Sequence, residues 1–344
     1  MGPPLELDVD SHRIAISSPD KPYFPAAGLT KRDLVDYYLA ISPVLMPHCL
    51  DRPCNLERYP DGIDGKHFVQ KRVPKNRPDW LRTAEVTFGS GNTAEELCPA
   101  SIADVLWAAN LGAITVHPWS TKLTEASDGR FRADLADELR IDLDPMPGVA
   151  WTTTRRVAHL IREVLAEHEV TCWVKTSGSA GIHVIARIVP SPYVDVRAAA
   201  VAVAREAERR SPADVTASWW KEQRGRRVFI DYNQNLWDRT MACAYAVRAT
   251  PDARVSLPIA WDALDSFQPA DATMKTVPDL VASNGDAAAT LRDVTSTTDG
   301  LLAMAARDAE AGLPDLPLPP HFPKFPNEPT RVAPSRAAKR PDHG

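Results

Sequence analysis

Residues 139–148 read LRIDLDPMPG, an alternation of apolar and charged residues that ends in a proline- and glycine-containing turn. At the two-residue period of a β-strand, Leu139, Ile141 and Leu143 share one face, and Arg140, Asp142 and Asp144 share the other. Two like charges held this close disfavour each other unless a cation lies between them. Carboxylate oxygens around a divalent metal meet that condition. An Asp-x-Asp strand also occurs in glycosyltransferases, phosphatases and plain surface strands, so its meaning depends on what surrounds it.

Downstream, residues 153–169 (TTRRVAHLIREVLAEHE) predict a helix, 170–176 (VTCWVKT) a strand, 177–181 (SGSAG) a turn and 182–189 (IHVIARIV) a second strand. An alanine-rich helix over 196–210 follows, then strands at 226–232 (RRVFIDY) and 241–249 (MACAYAVRA). Upstream, residues 30–49 read as an amphipathic helix capped by Thr30, bent at Pro43 and ended at Pro47. A short helix stops at Gly112, and AITVHPW (113–119) alternates as a strand ending near His117. Short strands, long helices and hairpin-like turns predict an α/β (α+β) fold. Its sheets are expected to be mixed or antiparallel and flanked by helices, unlike a doubly wound parallel sheet.

The chain of 344 residues is long enough for a large core, and 44% hydrophobic with 25% charged residues is the composition of an ordinary globular protein. No apolar run reaches the roughly 18 residues of a membrane span, and the N-terminus lacks a signal-peptide pattern, so a cytoplasmic location is expected. Five scattered cysteines without a Cys-x-x-Cys pair read as reduced core residues. The net charge of −5 argues against a surface coated with nucleic acid, yet Lys66, Lys71, Arg72, Lys75, Arg77 and Arg82 face only Asp79 in their segment. Tryptophans beside cations in SWWKEQRGRR and VHPWSTK are a weak hint of base-stacking surfaces.

The chemistry requires a third acid, and Asp231 at the end of VFIDY is the candidate. Three carboxylates could clamp two ions against a nucleoside triphosphate, one beside an attacking hydroxyl and one beside the leaving pyrophosphate. In KTSGSAGIH, Gly178 and Gly181 permit a tight turn whose backbone N–H groups could face phosphate oxygens, with Ser177 and Ser179 as further donors and His183 following. The terminal Gly-Lys-Ser/Thr of a Walker A loop is absent. Serine and glycine between strands also make ordinary hairpins, and a lone histidine on a strand is often a core residue.

In order, GAITVHPW, DLDP, KTSGSAGIHV, FIDYNQN and YAVRA resemble motifs of the polymerase domain of bacterial ligase D, in the archaeo-eukaryotic primase superfamily. The resemblance covers about residues 10–300. It implies a primase-like fold with two closely packed subdomains over residues 1–300, followed by a C-terminal extension, 301–344, with a partly disordered basic tail. It also implies a template-directed polymerase that fills short gaps and extends ends in non-homologous end joining, prefers ribonucleotides and uses manganese or magnesium, two ions per site. Asp142, Asp144 and Asp231 would hold the metals. His117, Ser177, Gly178, Ser179, His183, Gln234 and Arg248 would contact the nucleotide, with His117 near its ribose. Lys21, Lys31, Arg58, Lys66, Phe68, Lys71 and Arg72 would lie along DNA.

Three departures accompany the resemblance. Glu57 stands before Arg58 where the family carries a cation, so an acid is expected to repel a DNA 5′-phosphate there. Val69 replaces an aromatic after Phe68, and Ala180 replaces a lysine in the glycine turn. Expected partners are gapped or broken DNA with a primer–template, NTP or dNTP, and a separate DNA ligase, because no ligation motif is recognisable. Docking on the end-binding protein Ku stays open, and a nucleoid-associated location would follow. The alternatives are a de novo primase, which would need no primer, and a non-catalytic DNA-end-binding module that recruits a ligase. A nucleotide-sugar glycosyltransferase is more distant.

Overall fold

The structure is a computed structural model that describes residues 3–88, 91–125 and 131–319. Leu135–Pro145, the aspartate strand, is central to a seven-stranded sheet. Val228–Asp231 lies on one side of it and Ile182–Pro192 on the other, both antiparallel, and Trp173–Thr176 pairs beyond Ile182–Pro192. Parallel pairs at Val215–Thr216 and Thr295–Ser296 make the sheet mixed, as the pattern of short strands predicts.

The apolar face of the aspartate strand sets the core. Leu139, Ile141 and Leu143 are fully buried against Val157, Ile161 and Val164 of the helix Trp151–Ala166 and Val196 and Ala200 of the helix Tyr193–Arg210. Each such side chain contributes about 1.5–3 kcal/mol relative to exposure. The alanines of the second helix allow close approach to the sheet, and the helix Asp299–Glu310 packs against that helix, with Leu301 and Met304 buried in the same core. The packed chain therefore continues through residue 300, where the sequence reading placed the catalytic boundary. The basic tail from 320 onward lies outside the described residues.

A second, five-stranded sheet is built around Cys54–Arg58, which pairs with Phe68–Gln70 and with Ala113–Pro118. Its core is a separate cluster that includes the helices Lys31–Ala40 and Ile102–Asn110. Thr30 caps the first of these as expected: its hydroxyl accepts from Asp33 N at 3.3 Å, while Asp33 accepts from Thr30 N at 2.6 Å. The helix expected over 30–49 is two helices that meet at Ile41. Pro43 stands in the first turn of Ser42–Cys49, where its missing N–H is harmless, and Pro47 is inside that helix without ending it.

The strand expected at 241–249 is absent. Met241 N and Cys243 N donate to Pro118 and Val116 of the smaller sheet, whereas Tyr245 N donates to Ser256 and Arg248 N to Arg254. Serving two sets of partners turns the backbone, and Tyr245 takes a left-handed φ of 65° to do so. This irregular segment crosses between the sheets and carries Arg248 into the space they share.

Candidate active site between the two sheets

Register, more than sequence proximity, assembles the polar row. Asp142 pairs with Asp231 on one side and His183 on the other, and His183 pairs with Lys175. Directly opposed residues on one sheet face have neighbouring Cβ atoms, so four polar side chains line up across four strands. Asp144 lies one pleat further along the same face. Carboxylate oxygens of Asp142, Asp144 and Asp231 all fall within 4.8 Å of one another.

The electrostatics of this cluster are only partly compensated. Burial raises Asp142 to about 6, against the partial relief of Lys175, Gln234 and Arg248. Burial and then the charges of Asp142 and Asp144 raise Asp231 to about 7. Loss of hydration in the cleft and the charge of Asp142 raise Asp144 to about 7, although its side chain remains open to solvent. Asp142 Oδ1 is buried with no hydrogen-bond partner, even though His183 Nε2 stands 3.3 Å away. An all-oxygen donor set with an orphaned buried acceptor matches the ligand chemistry of a hard divalent cation.

Beside the acids, Lys175 is buried, and its Nζ lies 2.6 Å from His183 Nδ1, 2.6 Å from Ser256 Oγ and 2.9 Å from Ala242 O. Burial lowers this lysine to about 7 and holds the His183 imidazole well below its usual range. With Nδ1 facing Lys175, a neutral His183 carries its proton on Nε2, on the side of Asp142 but without closing a hydrogen bond to Oδ1. The sequence reading missed Lys175; its signal was a lysine within the apolar strand CWVKT.

The glycine turn differs from its expected use. Ser177 Oγ accepts from Ser179 N at 3.1 Å and from Gly181 N at 3.0 Å, so these two amides are engaged within the turn. The Ser177 hydroxyl proton remains available as a donor. Gly178 has φ +71°, and a Cβ there would collide with the Arg248 side chain, so glycine is needed for both conformation and space. Arg248 thus lies against the turn while its NH1 reaches to 3.4 Å from His117 Nε2.

From the smaller sheet, His117 and Glu57 face the same space. Glu57 Oε2 is 3.2 Å from His117 Nε2 and 3.9 Å from Arg248 NH1, and Glu57 Oε1 accepts from the Tyr59 hydroxyl at 2.7 Å. The hydrogen bond from His117 leads the interactions that hold Glu57 at about 2, and burial lowers His117 below its usual value. Alternation along the strand sends the next residue the other way: Arg58 donates to Leu111 O at 2.8 Å and Gln70 Oε1 at 2.5 Å. Gln234, the hydrogen-bond neighbour of Asp142, lines a 420 Å³ cleft with Asn55, Lys71, Phe88 and Thr240.

The expected DNA-facing residues divide. Lys66 and Phe68 are exposed, with Arg58 stacked 5.2 Å over the Phe68 ring, and Lys71 lies 4.2 Å over Phe88 at the cleft. Arg72 is exposed and donates to Thr93 O. Lys21 is engaged by Asp61 at 2.5 Å and Pro60 O at 2.8 Å. Lys31 departs from the expectation: it is 4% exposed and donates to Ser17 O and Asn110 Oδ1, both at 2.8 Å. A buried ammonium with these acceptors holds the N-terminal hairpin to a helix and offers no charge to a phosphate. Trp119 is likewise a core residue that donates to Glu96, leaving no stacking platform there.

Residues 30–288 match the family described as LigD, primase-polymerase domain. The multifunctional non-homologous end joining protein LigD of Mycolicibacterium smegmatis is 28% identical over 95% of this chain, and the Mycobacterium tuberculosis H37Rv protein is 30% identical over 96%. The chain spans 42% and 44% of the lengths of these relatives. A solved structure of the polymerase domain from M. tuberculosis ligase D in complex with DNA superposes with a TM-score of 0.77 at 30% identity, covering 81% of this chain and 98% of that one. No described helix is long and apolar enough to cross a membrane.

Proposed function

Since the chain belongs to the LigD primase-polymerase family, we propose that it is a template-directed nucleotidyltransferase of DNA end joining, which extends a primer 3′-hydroxyl across short gaps. The observation that carries this reading is the cluster of Asp142, Asp144 and Asp231, whose oxygens converge within 4.8 Å. Bound there, two Mn²⁺ or Mg²⁺ ions would neutralise the triphosphate and favour ionisation of the primer hydroxyl. Asp142, Asp144 and Asp231 would hold those ions. Arg248 and the Ser177 hydroxyl offer donors to phosphate oxygens, with Arg248 suited to bidentate contact. His183 is held beside Asp142 by Lys175, and His117 is the residue this reading assigns to the sugar. Lys66, Lys71 and Arg72 supply cations for the DNA backbone on the smaller-sheet side. Ribonucleotide preference, gap filling and association with a ligase belong to the same proposal.

Primer extension on a short gapped duplex with Mn²⁺ tests it, with ribonucleotides and deoxynucleotides in separate reactions. Templated addition by the wild type and none by the Asp142→Ala, Asp144→Ala variant is the expected result. Equal binding of the gap by both proteins, with addition by neither, would instead favour a recruiting module.

A further inference from the structure

Glu57 is an anion built into a site otherwise fitted to receive one. Its carboxylate is held from three sides: the Tyr59 hydroxyl at 2.7 Å, His117 Nε2 at 3.2 Å and Arg248 NH1 at 3.9 Å. Its strand neighbour across the sheet, Thr115, is also tied down, donating to Val247 O at 2.6 Å. The Glu57 side chain retains 20% exposure, so it borders the open site.

We propose that Glu57 is a specificity-determining positioning residue: it fixes His117 as the Nε2–H tautomer, which leaves Nδ1 to accept a hydrogen bond from a sugar hydroxyl of the bound nucleotide. The competing arrangement has Arg248 donating to Nε2 from 3.4 Å, with the imidazole proton moved to Nδ1. The ionised carboxylate is the nearer partner, 3.2 Å against 3.4 Å, and the Arg248 guanidinium has that same carboxylate 3.9 Å away as its own counter-ion, so it need not donate to the imidazole. His117 Nδ1 makes no hydrogen bond among the described residues. Phosphates accept hydrogen bonds and do not donate them when ionised. The donors of a nucleotide are its sugar hydroxyls and base N–H groups; with the phosphates at Arg248, the sugar is the unit bonded next to them, so we assign a sugar hydroxyl to Nδ1, and a sugar lacking it leaves Nδ1 unsatisfied.

The same carboxylate acts on Arg248. In the nucleotide-free protein it is a counter-ion for a guanidinium that must later turn to phosphate, and its charge opposes the incoming triphosphate. Glu57→Gln removes the charge and keeps an acceptor; Glu57→Met removes both at similar size. The two variants separate the hydrogen bond from the charge.

The inference rests on the nucleotide-site reading above, and the experiment keeps the two apart. Affinities of ATP and dATP with Mn²⁺ are compared for the wild type and both variants, alongside ¹⁵N spectra of the His117 imidazole in the whole protein. Expected are an Nε2–H signature in the wild type, tighter binding of both nucleotides by Glu57→Gln with the ATP/dATP ratio kept, and loss of about fivefold or more of that ratio in Glu57→Met. An Nδ1–H tautomer in the wild type overturns the proposal. So does an unchanged ratio in Glu57→Met, which is the result for a merely structural glutamate. If the wild type binds neither nucleotide, the nucleotide-site reading fails and takes this inference with it; binding with an unmoved ratio removes the inference alone.

Discussion

The two ends of the aspartate strand bury acids to opposite effect. At one end, Arg52 meets Asp137 at 2.6 Å and Glu138 at 3.0 Å, and Arg140 meets Glu138 at 2.7 Å. Burial alone would raise Glu138, but Arg52 and Arg140 outweigh it and hold the group at about 2. At the other end, Asp142, Asp144 and Asp231 have no paired arginine or lysine among the described residues; burial raises Asp142 to about 6, and burial with repulsion from neighbouring aspartates raises Asp144 and Asp231 to about 7. One set of acids is completed by the protein. The other is left incomplete, and that imbalance, more than burial or charge count, separates a structural network from a candidate ligand site.

Breaking the incomplete end should abolish function. Asp142→Ala is expected to lower templated addition by about a thousandfold or more, since a principal source of charge stabilisation is lost, and steady-state primer extension would read it. A residual rate near wild type would place the chemistry elsewhere. Breaking the complete end should unfold the protein instead: Arg52→Met strands Asp137 and Glu138, and urea denaturation should show a loss of about 3–5 kcal/mol.

Neutralising an acid at the incomplete end should have the opposite sign. Asp231→Asn is expected to stabilise the metal-free protein at neutral pH by about 1–3 kcal/mol while abolishing activity. The same asymmetry sets the pH response. These carboxyls titrate higher in the folded chain than in the unfolded one, so the folded state holds more protons between about pH 4 and 7, and their ionisation destabilises it as pH rises through that window. Protons compete with a cation for the same oxygens. Stabilisation by Mn²⁺, measured as a shift in melting temperature, should therefore be larger at pH 8 than at pH 5.5.

The smallest expected effect sharpens the comparison among cations. Lys66→Ala should weaken DNA binding evenly across sequences and reduce the salt slope by about 1. Lys31→Met should leave that slope unchanged, because its ammonium is occupied by Ser17 and Asn110. Binding measured over a range of salt concentrations distinguishes the two.

Much of this was legible in the chain. Alternation fixed which face of residues 139–145 is core, because a strand can bury only every second side chain on a given side. The acids, the glycine turn and His183 were identifiable from residue type and motif order, and the capped helix start at Thr30 from its local chemistry. What the chain alone could not settle was register and enclosure. Whether Asp142 stands opposite Asp231 and His183 depends on how separate strands pair, and the burial of Lys175 and Lys31 depends on layers brought from distant segments. Residues 241–249 have a strand's alternation, yet competition between two sets of backbone partners bends them away from it. Glu57 reads in sequence as a charge misplaced beside DNA; the pleat of its strand turned it inward to His117 and Arg248. Local pattern determined which residues were capable of chemistry, and tertiary packing decided which charges were paired and which were left without a partner.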